Sequence, residues 1–265
     1  SHQVIIRIIC SNNTCTTITI TKEMQDRTTT ATQNQSLTNI VINIPTVSWQ
    51  GILTSNNVYI VNVDTMKIVG KLTGLAENER IYSARLLGDI FFLVTFRIVD
   101  PLYAINISDP ENPRVIGFLK IPGFSEYLHP LYPDRLLGIG LEDNYLKISL
   151  FDISDPINMK EISVIKISNL ISEALHDHHA VTIYGSKQLI IIPVTPPRFV
   201  ILSSIPNPGF LIINYTKDLL NIRDFVEIQE PLRSVYIGYR IYLISVNKVK
   251  IYDINSGAVK EIELK

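Results

Sequence analysis

The chain has 265 residues, of which 46% are hydrophobic and 18% are charged, and its formal net charge at pH 7 is -1. A chain with such a balanced charge lacks the net positive potential that attracts a phosphate backbone, so we expect no nucleic-acid partner. The composition also excludes a wholly disordered chain. Isoleucine is abundant and alanine scarce. This favours strands, because β-branched side chains fit a pleated sheet and crowd a helix.

The N-terminal region carries both cysteines of the chain, Cys10 and Cys15, between the β-rich stretches 4–9 and 16–21. Their spacing suits a disulfide across the mouth of a hairpin, and the alternative is two unrelated thiols. A Thr-, Gln- and Asn-rich run follows at about 22–39 and has the composition of an exposed linker. We therefore predict a hairpin and linker over 1–36 and one further domain over 37–265. The extra hairpin is a candidate for self-assembly, by pairing with the sheet edge of a neighbouring molecule.

Four N-x-S/T sequons are candidate glycosylation sites. They begin at Asn12, Asn34, Asn106 and Asn214. Together with the cysteine pair they favour a secreted or cell-surface protein. No apolar run reaches the roughly eighteen residues of a membrane span, so we expect no transmembrane helix.

Internal similarity is the most informative feature of the remaining chain. A hydrophobic strand that ends in a polar turn recurs near Asp64, Asp109, Asp155 and Asn255, and the Ser-Asp-Pro turns at 108–110 and 154–156 are nearly identical. A second recurring segment, at 82–95 and again at 233–245, has the pattern of two strands joined by a tight glycine turn. Two further short strands complete each period, which is about 46 to 50 residues long.

Four short strands per period of this length are typical of a β-propeller blade. We predict an all-β propeller of about five four-stranded units, with a β-sandwich as the alternative fold. The predicted units cover about 37–72, 81–120, 124–167, 172–228 and 233–264, and the fourth contains a proline-rich insertion. Residues 170–175 have some helical character, but their alignment with the repeat predicts a strand.

Several blocks of the chain resemble the secreted β-propeller domain proteins of archaea and bacteria, which are distantly related to WD40 repeats. The matching blocks lie at 79–85, 94–97, 108–113, 121–130, 149–156 and 172–178. The resemblance is dense from about 56 to 194 and corresponds to the C-terminal half of longer family members. It implies an extracytoplasmic propeller, and it assigns no chemistry.

Two motifs of the form Ser-Glu-x-Leu-His, at 125–129 and 172–176, contain most of the candidate site residues. If they occupy equivalent places on adjacent blades, their side chains converge near one face. The cluster would then be a His/carboxylate metal site or an acid–base pair. The alternative is structural, with these groups bonding neighbouring blades and turns. The candidates are Glu126, His129, Glu173, His176, Asp177 and His178.

Arg97 belongs to a second polar group, with Arg80, Arg85 and Asp100. We expect either an arginine–carboxylate network between blades or an anion site. No nucleophile elbow, phosphate-binding loop or dinucleotide fingerprint is present.

The sequence therefore favours a non-catalytic module that binds protein or glycan at the cell surface, or a subunit of an extracellular assembly. No cofactor is predicted beyond a metal ion as a candidate at the histidine cluster. The competing hypothesis is an extracellular hydrolase or lyase that uses His129, Asp177 and His178, with metal assistance as one variant.

Overall fold

The computed structural model describes residues 2–9, 15–22, 39–43, 56–77, 79–96, 100–197 and 206–264, the first three ranges as backbone only. The first sheet has five strands in the order β2-β1-β3-β4-β5. They are β1 His2–Ile9, β2 Cys15–Lys22, β3 Asn39–Asn43, β4 Asn56–Asn62 and β5 Lys67–Leu75. β1 and β2 form the predicted antiparallel hairpin. β1 also pairs in parallel with β3, so the hairpin belongs to this sheet.

The other four sheets each contain four consecutive antiparallel strands. The second consists of β6 Arg80–Leu87, β7 Ile90–Phe96, β8 Asp100–Asn106 and β9 Arg114–Ile121. The third consists of β10 Phe124–Tyr132, β11 Arg135–Glu142, β12 Tyr145–Asp152 and β13 Lys160–Ser168. The fourth consists of β14 Thr182–Tyr184, β15 Leu189–Val194, β16 Gly209–Tyr215 and β17 Leu220–Glu227. The fifth consists of β18 Pro231–Ile237, β19 Arg240–Ser245, β20 Lys248–Asp253 and β21 Val259–Glu263.

These sheets confirm the predicted all-β class and its blade-like units. The described residues contain three short 3-10 helices, at Glu173–Leu175, His178–Ala180 and Gly185–Lys187, and no α-helix. The strand predicted over 170–175 is therefore wrong. The hydroxyl of Ser172 accepts a hydrogen bond from the Ala174 N–H, which stabilises a turn in place of sheet pairing.

The same type of turn follows one strand in four of the five sheets, at the recurring Asn or Asp positions of the sequence. In the first, second, third and fifth sheets an Asn or Asp side chain accepts a hydrogen bond from the backbone N–H two residues ahead. The acceptors are Asn62, Asn106, Asp152 and Asp253. Such Asx turns leave the strand in a fixed direction. Asn106, the first residue of a sequon, therefore has a structural role in its turn that does not depend on a glycan.

The chain forms two compact units, residues 1–121 with 156–158, and residues 122–155 with 159–265. In the first unit, one apolar core joins the first and second sheets. Its buried members come from β4 and β5 of the first sheet and from the middle strands β7 and β8 of the second, and are Val58, Ile60, Leu75, Phe91, Leu93 and Ile105.

In the second unit, the fourth sheet lies between the third and the fifth. Ile190 and Ile192 of β15 pack into a core shared with the third sheet. Leu189 and Ile191 of the same strand pack into a core shared with the fifth sheet. Because successive side chains of a strand point to opposite faces, β15 contributes to both cores and is buried along its whole length.

A buried arginine connects neighbouring sheets in the second unit. Arg135 is 6% exposed, and its guanidinium donates hydrogen bonds to Asp152 Oδ1 (2.8 Å), Asp218 Oδ1 (3.2 Å) and the Lys217 carbonyl. Arg135 is not one of the arginines singled out from the sequence. Of those, Arg80 is exposed, Arg85 is half-buried, and Arg97 lies outside the described residues.

A buried lysine holds together the strands of the third sheet. The Lys147 ammonium, 4% exposed, lies 3.1 Å from Glu142 Oε2 and 3.0 Å from Glu161 Oε1, and it donates to the Pro122 carbonyl (2.6 Å). Glu142 also pairs with the more exposed Lys166. Burial raises the pKa of Glu142, but hydrogen bonds from Lys166 and Lys147 outweigh it and hold that pKa below its ordinary value.

Replacing Gly140 with Ala should destabilise the protein by about 1–3 kcal/mol, because the new methyl group overpacks a tight contact. Its Cβ would overlap the Phe124 carbonyl oxygen, opposite the irregular pairing between Ser125 and Tyr127. The matched control is Gly185→Ala, whose Cβ meets no atom closer than 3.8 Å. Urea unfolding of both variants measures the difference, and equal stabilities would contradict the close backbone approach.

Replacing Lys147 with Met should cost about 3 kcal/mol at pH 7, because two carboxylates stay close together without their buried cation. Since the pKa of Glu142 is lowered in the folded state, its stabilising effect is complete above the unfolded pKa of about 4.3 and disappears as pH falls further. The penalty should therefore shrink below about pH 4.

Lys166→Met is the control for this variant, because Lys166 pairs with the same Glu142 from a more exposed position. We expect a much smaller loss for it, because solvent screens the exposed pair. Equal losses for the two variants at pH 7 in denaturant titrations would show that the burial of Lys147 has no energetic consequence.

Candidate functional site

The segment between β13 and β14 consists of two successive 3-10 turns whose apolar residues are buried and whose histidines are exposed. Ala174, Leu175 and Ala180 are buried. Ser172 caps the first turn and donates a hydrogen bond to the Pro193 carbonyl (2.6 Å), which ties the segment to β15. Asp177 caps the second turn by accepting from the His179 N–H (2.9 Å). The backbone is thus anchored while the polar side chains point towards solvent.

Three consecutive residues of this segment bring their side chains together. His179 Nδ1 lies 2.9 Å from Asp177 Oδ1, and the rings of His178 and His179 are 3.9 Å apart between centroids. One ligand atom from each of the three residues lies within 4.8 Å of the others. Among the described residues, no other three His, Cys, Asp or Glu side chains bring their ligand atoms this close together. We call Asp177, His178 and His179 the triad.

Hydrogen bonds make Asp177 the anionic member of the triad. Those from the backbone N–H and the ring of His179 lower the pKa of the Asp177 carboxyl below its ordinary value. Arg233 adds to this effect, since its Nη2 lies 3.5 Å from Asp177 Oδ2. The pKa of the nearby Glu126 carboxyl is shifted in the other direction, because burial raises it. His176 opposes that shift, since its Nδ1 lies 3.6 Å from Glu126 Oε2.

The triad borders an open cleft of about 520 Å³ between β14 and β18. Thr182 and Ser234 join these strands, because the Thr182 hydroxyl donates to the Ser234 carbonyl (2.7 Å) and the Ser234 hydroxyl bonds to Thr182 Oγ1 (2.8 Å). Residues that line the cleft include His178, His179, Thr182, Arg233, Ser234 and Tyr236. The arrangement can therefore present imidazoles, a guanidinium and a phenol ring to one ligand.

An apolar surface continues from this cleft along β18 and the turn that follows it. We call it the β18 surface, and its exposed members are Leu232, Val235, Tyr236, Ile237 and Tyr239. Tyr236 stacks on Tyr184 with ring centroids 3.7 Å apart, and the Tyr184 hydroxyl donates to the Gly238 carbonyl. The Lys187 ammonium lies 4.1 Å from the centre of the Tyr239 ring.

The predicted site residues separate into three groups. The two Ser-Glu-x-Leu-His motifs do not share a local structure, since the first lies in β10 and the second spans the turn Glu173–Leu175. They nevertheless meet where Glu126 approaches His176. His129 hydrogen-bonds through Nδ1 to the Tyr127 hydroxyl (2.9 Å), and Glu173 is exposed. Asp177 and His178 belong to the triad, whereas Glu126, His129 and Glu173 lie outside it.

The other predicted sites have less structural detail. Arg97, Cys10, Asn12 and Asn34 lie outside the described residues, and so does the side chain of Cys15. Asn106 ends β8, and Asn214 lies in β16, a middle strand of the fourth sheet. Sequence reasoning missed His179, Arg233 and Tyr236 as site residues. The histidine run was visible, but nothing in it showed that β18 lies beside it.

Comparison with known proteins agrees with the sheet architecture. A family model described as a beta propeller domain matches residues 15–257. The chain belongs to this family. It is 36% identical over 211 residues to an uncharacterized protein of Archaeoglobus fulgidus, covering 80% of this chain and 31% of that protein. An uncharacterized protein of Methanocaldococcus jannaschii is also 36% identical over 211 residues, with 79% and 32% covered.

The chain thus spans about a third of the length of these curated relatives. Within the described residues, no helix has both the length and the hydrophobicity that a membrane span requires.

Replacing Ser172 with Ala should destabilise the protein by about 1–2 kcal/mol, because a buried cap and a buried hydrogen bond are lost together. Amides of residues 173–180 should then exchange with solvent faster than in the wild type, as measured by hydrogen exchange with mass spectrometry. Ser168→Ala, at an exposed position of β13, is the control. Unchanged exchange at 173–180 in Ser172→Ala would show that this cap does not hold the triad segment in place.

Proposed function

We propose that the protein is a non-catalytic binding module that recognises a protein partner through the β18 surface and the adjoining cleft. The observation that carries this proposal is the exposure of several large apolar side chains along β18, the first strand of the fifth sheet. Tyr236 is 42% exposed and Ile237 is 67% exposed. Groups of exposed apolar side chains beside polar ones are typical of protein interaction sites.

The side chains of this surface are of the kinds that dominate protein interfaces. Tyrosine and arginine are enriched among the residues that contribute most to binding; Arg233 and Tyr236 both line the cleft, and Tyr239 is exposed in the turn after β18. Tyr236 is also held by its stack on Tyr184, so it loses little conformational freedom when a partner binds.

The charges around the β18 surface favour an acidic partner. Lys187 lies over Tyr239, and Arg233 in β18 and Arg240 at the start of β19 are exposed. Asp177 engages Arg233 only at 3.5 Å, which leaves most of the guanidinium donors to a ligand. We therefore expect an extended partner segment that combines apolar side chains with carboxylates.

A secreted or cell-surface location is part of the same proposal. It is supported by the sequons, by the spacing of Cys10 and Cys15, and by the resemblance to secreted propeller proteins. Assembly with further copies through the N-terminal hairpin also stays a proposal, and β2 at the end of the first sheet is the strand that would pair.

A glycan is the alternative ligand of this surface, because exposed tyrosine rings and a guanidinium suit sugar hydroxyl and carboxylate groups. The hydrolase or lyase hypothesis has less support. Of its three residues, His129 hydrogen-bonds to Tyr127 and lies outside the triad that contains Asp177 and His178.

Peptides selected from a random display library on the wild-type protein should be rich in acidic and aliphatic residues. They should bind Tyr236→Ala about tenfold or more weakly, which is the usual consequence of losing a central aromatic contact. Fluorescence anisotropy with labelled peptides measures this. The matched control is Tyr145→Ala, because Tyr145 is the same residue type at 43% exposure on β12.

Selected peptides that bind Tyr236→Ala and the wild type equally would contradict a role for the β18 surface in protein binding. Binding on a glycan array that is lost in Tyr236→Ala, without any selected peptide, would replace the protein partner by a sugar.

A further inference from the structure

We propose that Asp177, His178 and His179 form a binding site for a divalent transition-metal ion such as Zn²⁺ or Ni²⁺, with coordination positions open to the cleft. This site is separate from recognition of a partner by the β18 surface, and neither proposal depends on the other.

The geometry of the triad is close to that of a coordination shell. Its ligand atoms lie within 4.8 Å of one another. Ligands about 2.0–2.2 Å from a zinc ion are separated by roughly 3–4 Å, so small side-chain rotations suffice to close the shell. The backbone is already positioned, because Leu175 and Ala180 are buried on either side of the triad.

The chemistry of the donors selects the class of metal. Two imidazoles and one carboxylate suit zinc, nickel or copper, whereas magnesium and calcium prefer shells made of oxygen atoms. His179 Nδ1 and Asp177 Oδ1 lie 2.9 Å apart, close to the separation of two ligands of one metal ion, so the metal would replace the proton that these two atoms share. Three protein ligands on an exposed turn leave at least one position for water or for a ligand group in the cleft.

Arg233 is the competitor of the metal ion in this arrangement. Its guanidinium lies 3.5 Å from Asp177 Oδ2, so a bound cation would share the Asp177 carboxylate with a positive charge. The site should therefore bind metal more weakly than a triad without the arginine. This gives the proposal a test in which a substitution strengthens binding, a result that damage to the fold cannot produce.

The test is equilibrium dialysis of the full chain against Zn²⁺ and, separately, Ni²⁺, with the bound metal measured by elemental analysis. We expect one equivalent per chain, with affinity reduced about tenfold or more in His178→Ala, His179→Ala and Asp177→Asn. Arg233→Gln should raise the affinity about fivefold, through removal of one nearby charge. His129→Ala is the control outside the triad and should bind like the wild type.

Absence of stoichiometric binding of either metal would overturn the proposal. So would wild-type affinity in the His178→Ala, His179→Ala double variant, or a loss in His129→Ala as large as that in His179→Ala. Circular dichroism and thermal unfolding of each variant show that the sheets are intact, which the exposure of His178 and His179 leads us to expect.

Discussion

The burial of both faces of β15 is the constraint on which the second unit depends. Its even-numbered side chains, Ile190 and Ile192, pack towards the third sheet, and its odd-numbered ones, Leu189 and Ile191, pack towards the fifth. Each fully buried aliphatic side chain contributes about 1.5–3 kcal/mol of hydrophobic stabilisation. A shift of register by one residue would exchange the two rows, so the pairing of β15 with β14 and β16 is strongly specified.

The polar features follow from this packing. The segment before β14 leads from the third sheet into the fourth. A hydrogen bond from the Ser172 hydroxyl to the Pro193 carbonyl attaches this segment to β15. Asp177, His178 and His179 are therefore displayed from a fixed backbone beside β18. Preorganisation of this kind reduces the entropy lost when a ligand binds. Buried charges elsewhere, at Arg135 and Lys147, are compensated by carboxylates in direct contact.

Much of the fold could be predicted because it is local and repeated. Period-two hydrophobic strands, glycine turns and strand-ending Asn or Asp residues specify each four-stranded sheet from within about 45 residues. The error at 170–175 has a local cause as well, since Ser172 forms a turn that competes with sheet pairing. The site was predictable only in part. Asp177 and His178 stand out in the sequence, but the approach of Arg233 depends on the packing of the fourth sheet against the fifth.

The enclosure of the fourth sheet can be measured most directly by hydrogen exchange on the wild-type protein. If β15 is buried on both faces and its residues 189–191 pair with both β14 and β16, the amides of these three residues should exchange only through unfolding of the whole unit. They should be the slowest within residues 122–264, and slower than those of the first strand β18. Exchange at residues 189–191 as fast as at residues 232–237 of β18 would contradict the enclosure of the fourth sheet and the fixed position of the triad that follows from it.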